Sequence, residues 1–136
     1  TSRGIAALQE GVHDTTITMF EYPDKIMGHI FVSWLHPFKE HRFVVVGSKG
    51  MIHFEDSTDG KPLVFYDKKV AWSEGKPLPL SGPTRYIEYE PLLALTLELK
   101  YFIDHLNGES IEIANGDSAV QVIHTLEKAT ESLMGK

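Results

Sequence analysis

The feature that most constrains this chain is a change of hydrophobic period at Glu90-Pro91. Before it, short stretches rich in threonine, valine and aromatics are cut by glycine, proline and aspartate turns, which is strand character. After it, Leu92, Leu95, Leu99, Phe102, Ile103 and Leu106 recur at steps of three and four, the spacing of one helix face. Strands followed by helices predict an α+β fold rather than repeated βαβ units. The expected architecture is an open, mostly antiparallel sheet of six or seven strands with two C-terminal helices packed on one face.

The first helix is predicted over 91–106, with Pro91 well placed in the first turn and Asn107-Gly108 as the stop. Ile111 and Ile113 read as a short extended connector. Asp117 or Ser118 then caps a second helix, whose apolar face is Val122, Ile123, Leu126, Ala129 and Leu133, ending at Gly135.

Among the strands, 14–22 ends in the turn Tyr22-Pro23-Asp24-Lys25, and 27–35 carries apolar groups on both faces. Ile30, Val32 and Trp34 share one face, and Phe31 and Leu35 share the other with His29 and Ser33, as in a central strand covered on two sides. Pro37 stops that strand. A hairpin follows, 42–47 with 51–56 around Gly47-Ser48-Lys49-Gly50. Next, 63–66 pairs with 69–72 across Asp67-Lys68, and 85–89 is a last short strand. Between them, 73–83 holds three of the seven prolines and two glycines and reads as a long surface loop. The first ten residues show no clear periodicity.

A length of 136 residues fits one domain, 1–136, with its own core. Cysteine is absent, which excludes disulfides, thiolate metal sites and cysteine nucleophiles and fits a reducing cytoplasm. The net charge of −6 argues against a non-specific grip on nucleic acid or anionic lipid. No run of apolar residues is long enough to cross a membrane as a helix, so neither nucleic acid nor membrane is an expected partner. A start at Thr1 rather than methionine suggests a piece of a longer chain.

Residue patterns that carry chemistry are few. A dinucleotide loop needs closely spaced glycines so that backbone N–H groups can reach the phosphates, and neither GxGxxG nor GxxxxGK occurs. The seven histidines show no HExxH. His36, His41 and His53 are the one set that the hairpin could gather, but strand and loop histidines are the favoured reading. His13-Asp14 and Asp104-His105 are sequence neighbours whose side chains diverge on a strand or a helix, so neither is a natural dyad. Glu98 reads as a solvated helix carboxylate. The better polar candidates are Lys39 and Arg42 beside Trp34 and His36. Two cations next to an indole suit a phosphate or carboxylate; a charged loop that keeps a sheet edge soluble is the competing reading.

Taken in order, the Pro23-Asp24-Lys25 turn, GHIFVSWLHPFKEHRFVVVGSKGMIHFED, LVFYDKK, YEPLLALTLELKYFIDHLNGE and AVQVIHTLEKATES make the chain resemble a known domain. It is the C-terminal domain of the glucose-fructose oxidoreductase, inositol dehydrogenase and rhizopine-catabolism (Gfo/Idh/MocA) family. The SWLHPFK segment ahead of VVGSKG is most similar to the nucleotide-sugar 3-dehydrogenase branch. The resemblance implies the substrate-binding and oligomerisation domain of an NAD(P)-dependent sugar or nucleotide-sugar oxidoreductase. It also implies that NAD or NADP is held by an N-terminal Rossmann domain absent from this chain, so that the fragment binds no cofactor and is silent alone. Trp34, His36, Lys39 and Arg42 become the substrate-binding candidates, no catalytic residue is carried over, and a homo-oligomer forms through the sheet face. A stand-alone dimerisation or small-ligand module without activity is the alternative, followed by a small independent enzyme using a histidine and a carboxylate.

Overall fold

The computed structural model describes residues 1–135, which divide into two compact units. One is made of Thr1–Pro37 with residues 94–135, the other of Phe38–Leu93.

In the first unit, β1 (Ser2–Ile5), β2 (Thr15–Tyr22) and β3 (Ile26–Ser33) form an antiparallel sheet in chain order. The β2–β3 link is Pro23–Lys25, in which Asp24 and Lys25 both have positive φ, 60° and 61°. Two consecutive left-handed residues give the reversal whose twist suits antiparallel strands, and aspartate tolerates that region better than most residues. Helices α1 (Ala94–Asp104) and α2 (Gly116–Leu133) complete the unit. α2 packs against β1. The Ser2 N–H donates to Ser132 Oγ at 2.8 Å, and Ser2 Oγ bonds Thr18 Oγ1 at 2.9 Å, so a residue that is 1% exposed has its polar groups satisfied.

The second unit is a meander of β4 (Arg42–Gly47), β5 (Gly50–Glu55), β6 (Leu63–Ser73) and β7 (Lys76–Tyr86). Every pair is antiparallel and joins chain neighbours. Val64 on β6 is its buried apolar residue, 5% exposed. Gly50 is required where the β4–β5 turn meets β6, because a Cβ there would lie 2.5 Å from the Phe65 ring. Just past the residue opposite the start of β5, the β6–β7 ladder shifts register between Tyr66 and Lys68. Gly82 makes room for this irregularity, since a Cβ would sit 2.3 Å from Asp67 Oδ2.

The α+β class holds, but the strands form two sheets, of three and four strands, instead of one sheet of six or seven. The 42–47 strand is found with those bounds, as β4. The expected strands 63–66 and 69–72 are one continuous strand, β6, because the chain does not turn at Asp67-Lys68; the irregularity lies across the ladder, where Gly82 and Pro83 of β7 together oppose Asp67. The expected loop over 73–83 is mostly β7. Two of its three prolines, Pro77 and Pro79, sit on this edge strand opposite Trp72 and Val70 in pairs where no N–H toward β6 is needed, and Pro83 falls at the register shift. The reversal occurs at Glu74 and Gly75, with φ 50° and 74°, a two-residue hairpin turn. Residues 87–89, expected to be strand, lie beyond β7. β1 was not foreseen, because SRGI has no alternation of its own and exists through its partners Thr15, Thr16, Ile17 and Thr18. The α2 cap is Asn115, whose side chain accepts from the Ser118 N–H at 2.8 Å, in place of Asp117 or Ser118. α1 is shorter at both ends than 91–106.

Candidate functional site

Trp34 follows β3 and is pinned through its backbone, its N–H donating to the Asp14 carbonyl at 2.8 Å, while its indole is 86% exposed. Beside it lies an open cavity of about 280 Å³ lined by His13, Asp14, Thr16, Val32, Ser33 and Trp34. The β2–β3 register explains this lining, since Thr15 faces Ser33 and Thr16 faces Val32 across the ladder. Several polar groups of the rim are already committed. Ser33 Oγ bonds Thr15 Oγ1 at 2.6 Å and accepts from the Leu35 N–H at 3.1 Å.

Asp14 is 7% exposed, and its Oδ2 accepts from the N–H groups of Ala7 and Leu8 at 2.6 and 2.8 Å. A buried carboxylate with two backbone donors is a brace for the loop after β1, so its adjacency to His13 carries no acid–base pairing. The His13 ring and the Thr16 hydroxyl have no hydrogen-bond partner among the described residues and remain available to a ligand. An exposed aromatic face beside an imidazole and a hydroxyl suits a small polyhydroxylated ring better than it suits bond breaking.

His36 lies in the same unit, its ring edge-on to Phe31 at 6.2 Å between centroids. Lys39 and Arg42 belong to the other unit. Arg42 opens β4 and pairs with Glu40, Nη2 to Oε2 3.4 Å, both side chains well exposed. The four candidates therefore divide two and two between the units, and one guanidinium already has a carboxylate neighbour.

Two polar clusters in the second unit escaped the sequence reading. In one, Glu55 accepts from the backbone N–H of Ser57 at 3.2 Å and from its hydroxyl. The Ser57 hydroxyl holds the Glu55 carboxyl below its ordinary range, opposed by desolvation, with smaller help from backbone donors and from the His53 charge. His53 Nε2 is buried without a hydrogen-bond partner, 3.8 Å from Glu55 Oε2. In the other, Lys61 Nζ meets Asp56 Oδ1 at 2.6 Å, and His41 Nδ1 lies 3.8 Å from Asp56 Oδ2. That contact lowers the Asp56 carboxyl and raises the Lys61 ammonium. The period of two on β5, which puts His53 and Glu55 on one face, was the signal available in the sequence. The convergence of Ser57 and Lys61 depends on how the following loop folds back. His41 and His53 thus find separate carboxylates. Among the described residues no three histidine, aspartate or glutamate side chains converge as metal ligands.

Among the described residues no dinucleotide cradle is formed. Both sheets are antiparallel, without the strand–loop–helix crossover that points a helix start at a pyrophosphate. The first turn of α2 is capped by Asn115 and carries Asp117, whose charge would oppose a phosphate. No described helix is long and apolar enough to cross a membrane.

Residues 2–53 match the family model of the GFO/IDH/MocA C-terminal domain. The matched stretch runs from β1 into β5 and contains Trp34, His36, Lys39 and Arg42. It supports the family resemblance and points to a domain of an oxidoreductase family. No curated protein and no solved structure matches the chain.

Proposed function

We propose that this chain is the substrate-binding and assembly domain of an NAD(P)-dependent sugar or nucleotide-sugar oxidoreductase and is catalytically silent by itself. The observation that carries this reading is the family match over residues 2–53, which encloses every candidate substrate residue. The Trp34 indole offers an apolar face to a sugar ring, with the His13 imidazole and the Thr16 hydroxyl beside it for ring hydroxyls. His36 belongs to the same unit as Trp34; Lys39 and Arg42, in the other unit, are taken by themselves as cations suited to an anionic group of a substrate. In this reading NAD or NADP is held by an N-terminal Rossmann domain outside residues 1–136, which the lack of GxGxxG and GxxxxGK in the sequence supports. The nucleotide-sugar 3-dehydrogenase branch rests on SWLHPFK preceding VVGSKG.

The same reading makes residues 1–136 one functional domain that self-associates through a sheet face, here that of the four-stranded sheet. β4 supports this, since Phe43, Val44, Val45 and Val46 are 65%, 51%, 48% and 69% exposed although they alternate between its two faces. A chain without cysteine suits the reducing cytoplasm in which such an enzyme would work. In the complete enzyme, Lys39→Ala and Arg42→Ala should each raise KM for the sugar substrate about tenfold and leave KM for the nicotinamide cofactor unchanged. Steady-state kinetics decides it. An unchanged sugar KM in both variants overturns the assignment.

A further inference from the structure

We infer that the free edge of β6 over residues 67–73 is a pairing surface for a second copy of this chain, with β6 joining β6 antiparallel about a two-fold axis at Val70. β5 covers β6 only as far as Tyr66, its partner at Met51, whereas β7 follows β6 to the Ser73↔Lys76 pair. Residues 67–73 therefore belong to a two-stranded arm with one side of β6 open, and Val70 and Trp72 on it are 58% and 73% exposed. A two-stranded ribbon is marginal in water unless something adds to it.

The prolines of β7 fix which backbone groups face the open side. Pro79 opposes Val70 and Pro77 opposes Trp72. A proline has no N–H, so neither pair can be one that exchanges two hydrogen bonds. The exchanging pairs are therefore Lys69↔Leu80, Ala71↔Leu78 and Ser73↔Lys76, the last being the closing pair of a two-residue hairpin turn. It follows that the N–H and C=O groups of Lys68, Val70 and Trp72 point away from β7. Among the described residues they have no strand partner on that side. The outer edge of β7 is the opposite case, because the nitrogens of Pro77 and Pro79 face outward and offer no donor. One edge of the arm is closed to pairing and the other is open.

The open edge is complementary to itself. Antiparallel pairing centred on Val70 sets Val70 against Val70, and Lys68 of each copy against Trp72 of the other. All three outward-facing residues then exchange hydrogen bonds with outward-facing residues. The Lys68 ammonium, which lies 5.8 Å from the Tyr66 ring centroid of its own strand, gains the face of an indole across the ladder. Moving the axis one residue toward the chain start sets Lys69 against Lys69, a like-charge pair. Moving it one residue the other way sends Lys68 opposite Glu74, which lies in the turn at φ 50° and offers no ladder position. A proline-free edge on which every outward-facing residue meets an outward-facing residue of its own sequence fits a second copy of this chain. This contact is separate from association through a sheet face, and either can exist without the other.

The chain has no cysteine, so Val70→Cys carries a single thiol. In the proposed register the two Val70 Cα atoms lie about 5.5 Å apart, within disulfide reach. Under mild oxidation of the full chain, Val70→Cys should form a covalent dimer about tenfold faster than Ser73→Cys, whose thiols the register holds far apart. Val70→Pro removes an N–H that faces outward and none that faces β7, and in sedimentation it should lose the edge dimer while keeping the β6–β7 hairpin. Equal or absent cross-linking in the two cysteine variants overturns the proposal. A dimer that survives Val70→Pro, with thiols at position 70 that stay unlinked, also overturns it and assigns association to another surface or partner.

Discussion

The two units are held together in different ways. In the first, the chain start and the chain end meet, Ser2 on β1 donating to Ser132 on α2 across 130 positions, and a buried carboxylate at Asp14 ties down the loop between β1 and β2. In the second, every strand pairs with its neighbour in the chain, and the polar braces are local, Glu55 with Ser57 and Asp56 with Lys61. A meander of short turns closes small loops and can form piecewise, whereas the first unit gains its helix contact only after a long closure. The first should therefore be sensitive to single internal polar groups, and the second tolerant of any one of them.

Three changes test that contrast, and the tryptophans make it measurable, because Trp34 reports the first unit and Trp72 the second. The largest effect is expected from Asp14→Ala. It strands the N–H groups of Ala7 and Leu8 and should cost about 2–4 kcal/mol in urea unfolding followed at Trp34. Asp14→Asn keeps an acceptor and should restore part of the loss. A cost below about 0.5 kcal/mol would place the loop's stability elsewhere.

Ser132→Ala comes next. It removes the acceptor for a Ser2 N–H that is almost wholly buried and should cost about 1–2 kcal/mol at Trp34. The Trp72 transition should not move. Equal shifts at both tryptophans would mean that the units unfold as one and would break the comparison.

The smallest effect is a pH dependence at Trp72. The Glu55 and Asp56 carboxyls are both held below their ordinary values, first by the Ser57 hydroxyl and by the Lys61 ammonium respectively. Groups lowered on folding stabilise above the ordinary carboxylate range, about pH 4, and that contribution is lost as pH falls through their lowered values. Melting followed at Trp72 should therefore weaken below about pH 4, less steeply in Glu55→Gln and Asp56→Asn. Salt should shrink the Asp56 part, because its pairing with Lys61 is open to solvent. A flat profile in the unsubstituted chain would contradict the assignment.

The same contrast decides what was legible in the sequence. The β4–β5 hairpin and the helical period after Pro91 are local patterns, and both were found close to where they were expected. β7 was hidden because Pro77 and Pro79 read as breakers until the register shows that their missing donors face outward. β1 was hidden because its four residues are strand only by virtue of β2 and α2. At the candidate site, Trp34, His36, Lys39 and Arg42 stood out by residue type and closeness in sequence. The brace role of Asp14 and the Glu55–Ser57 and Asp56–Lys61 contacts depend on loops folding back, which no periodicity encodes.

The proposal that this chain is one half of a dehydrogenase is tested most directly by the reading frame upstream of the Thr1 codon. The frame should continue without a stop and encode, within about 150–200 residues, a strand, a glycine-rich GxGxxG loop and a helix. A start codon at or just before Thr1, with no dinucleotide-binding region in frame, would contradict it.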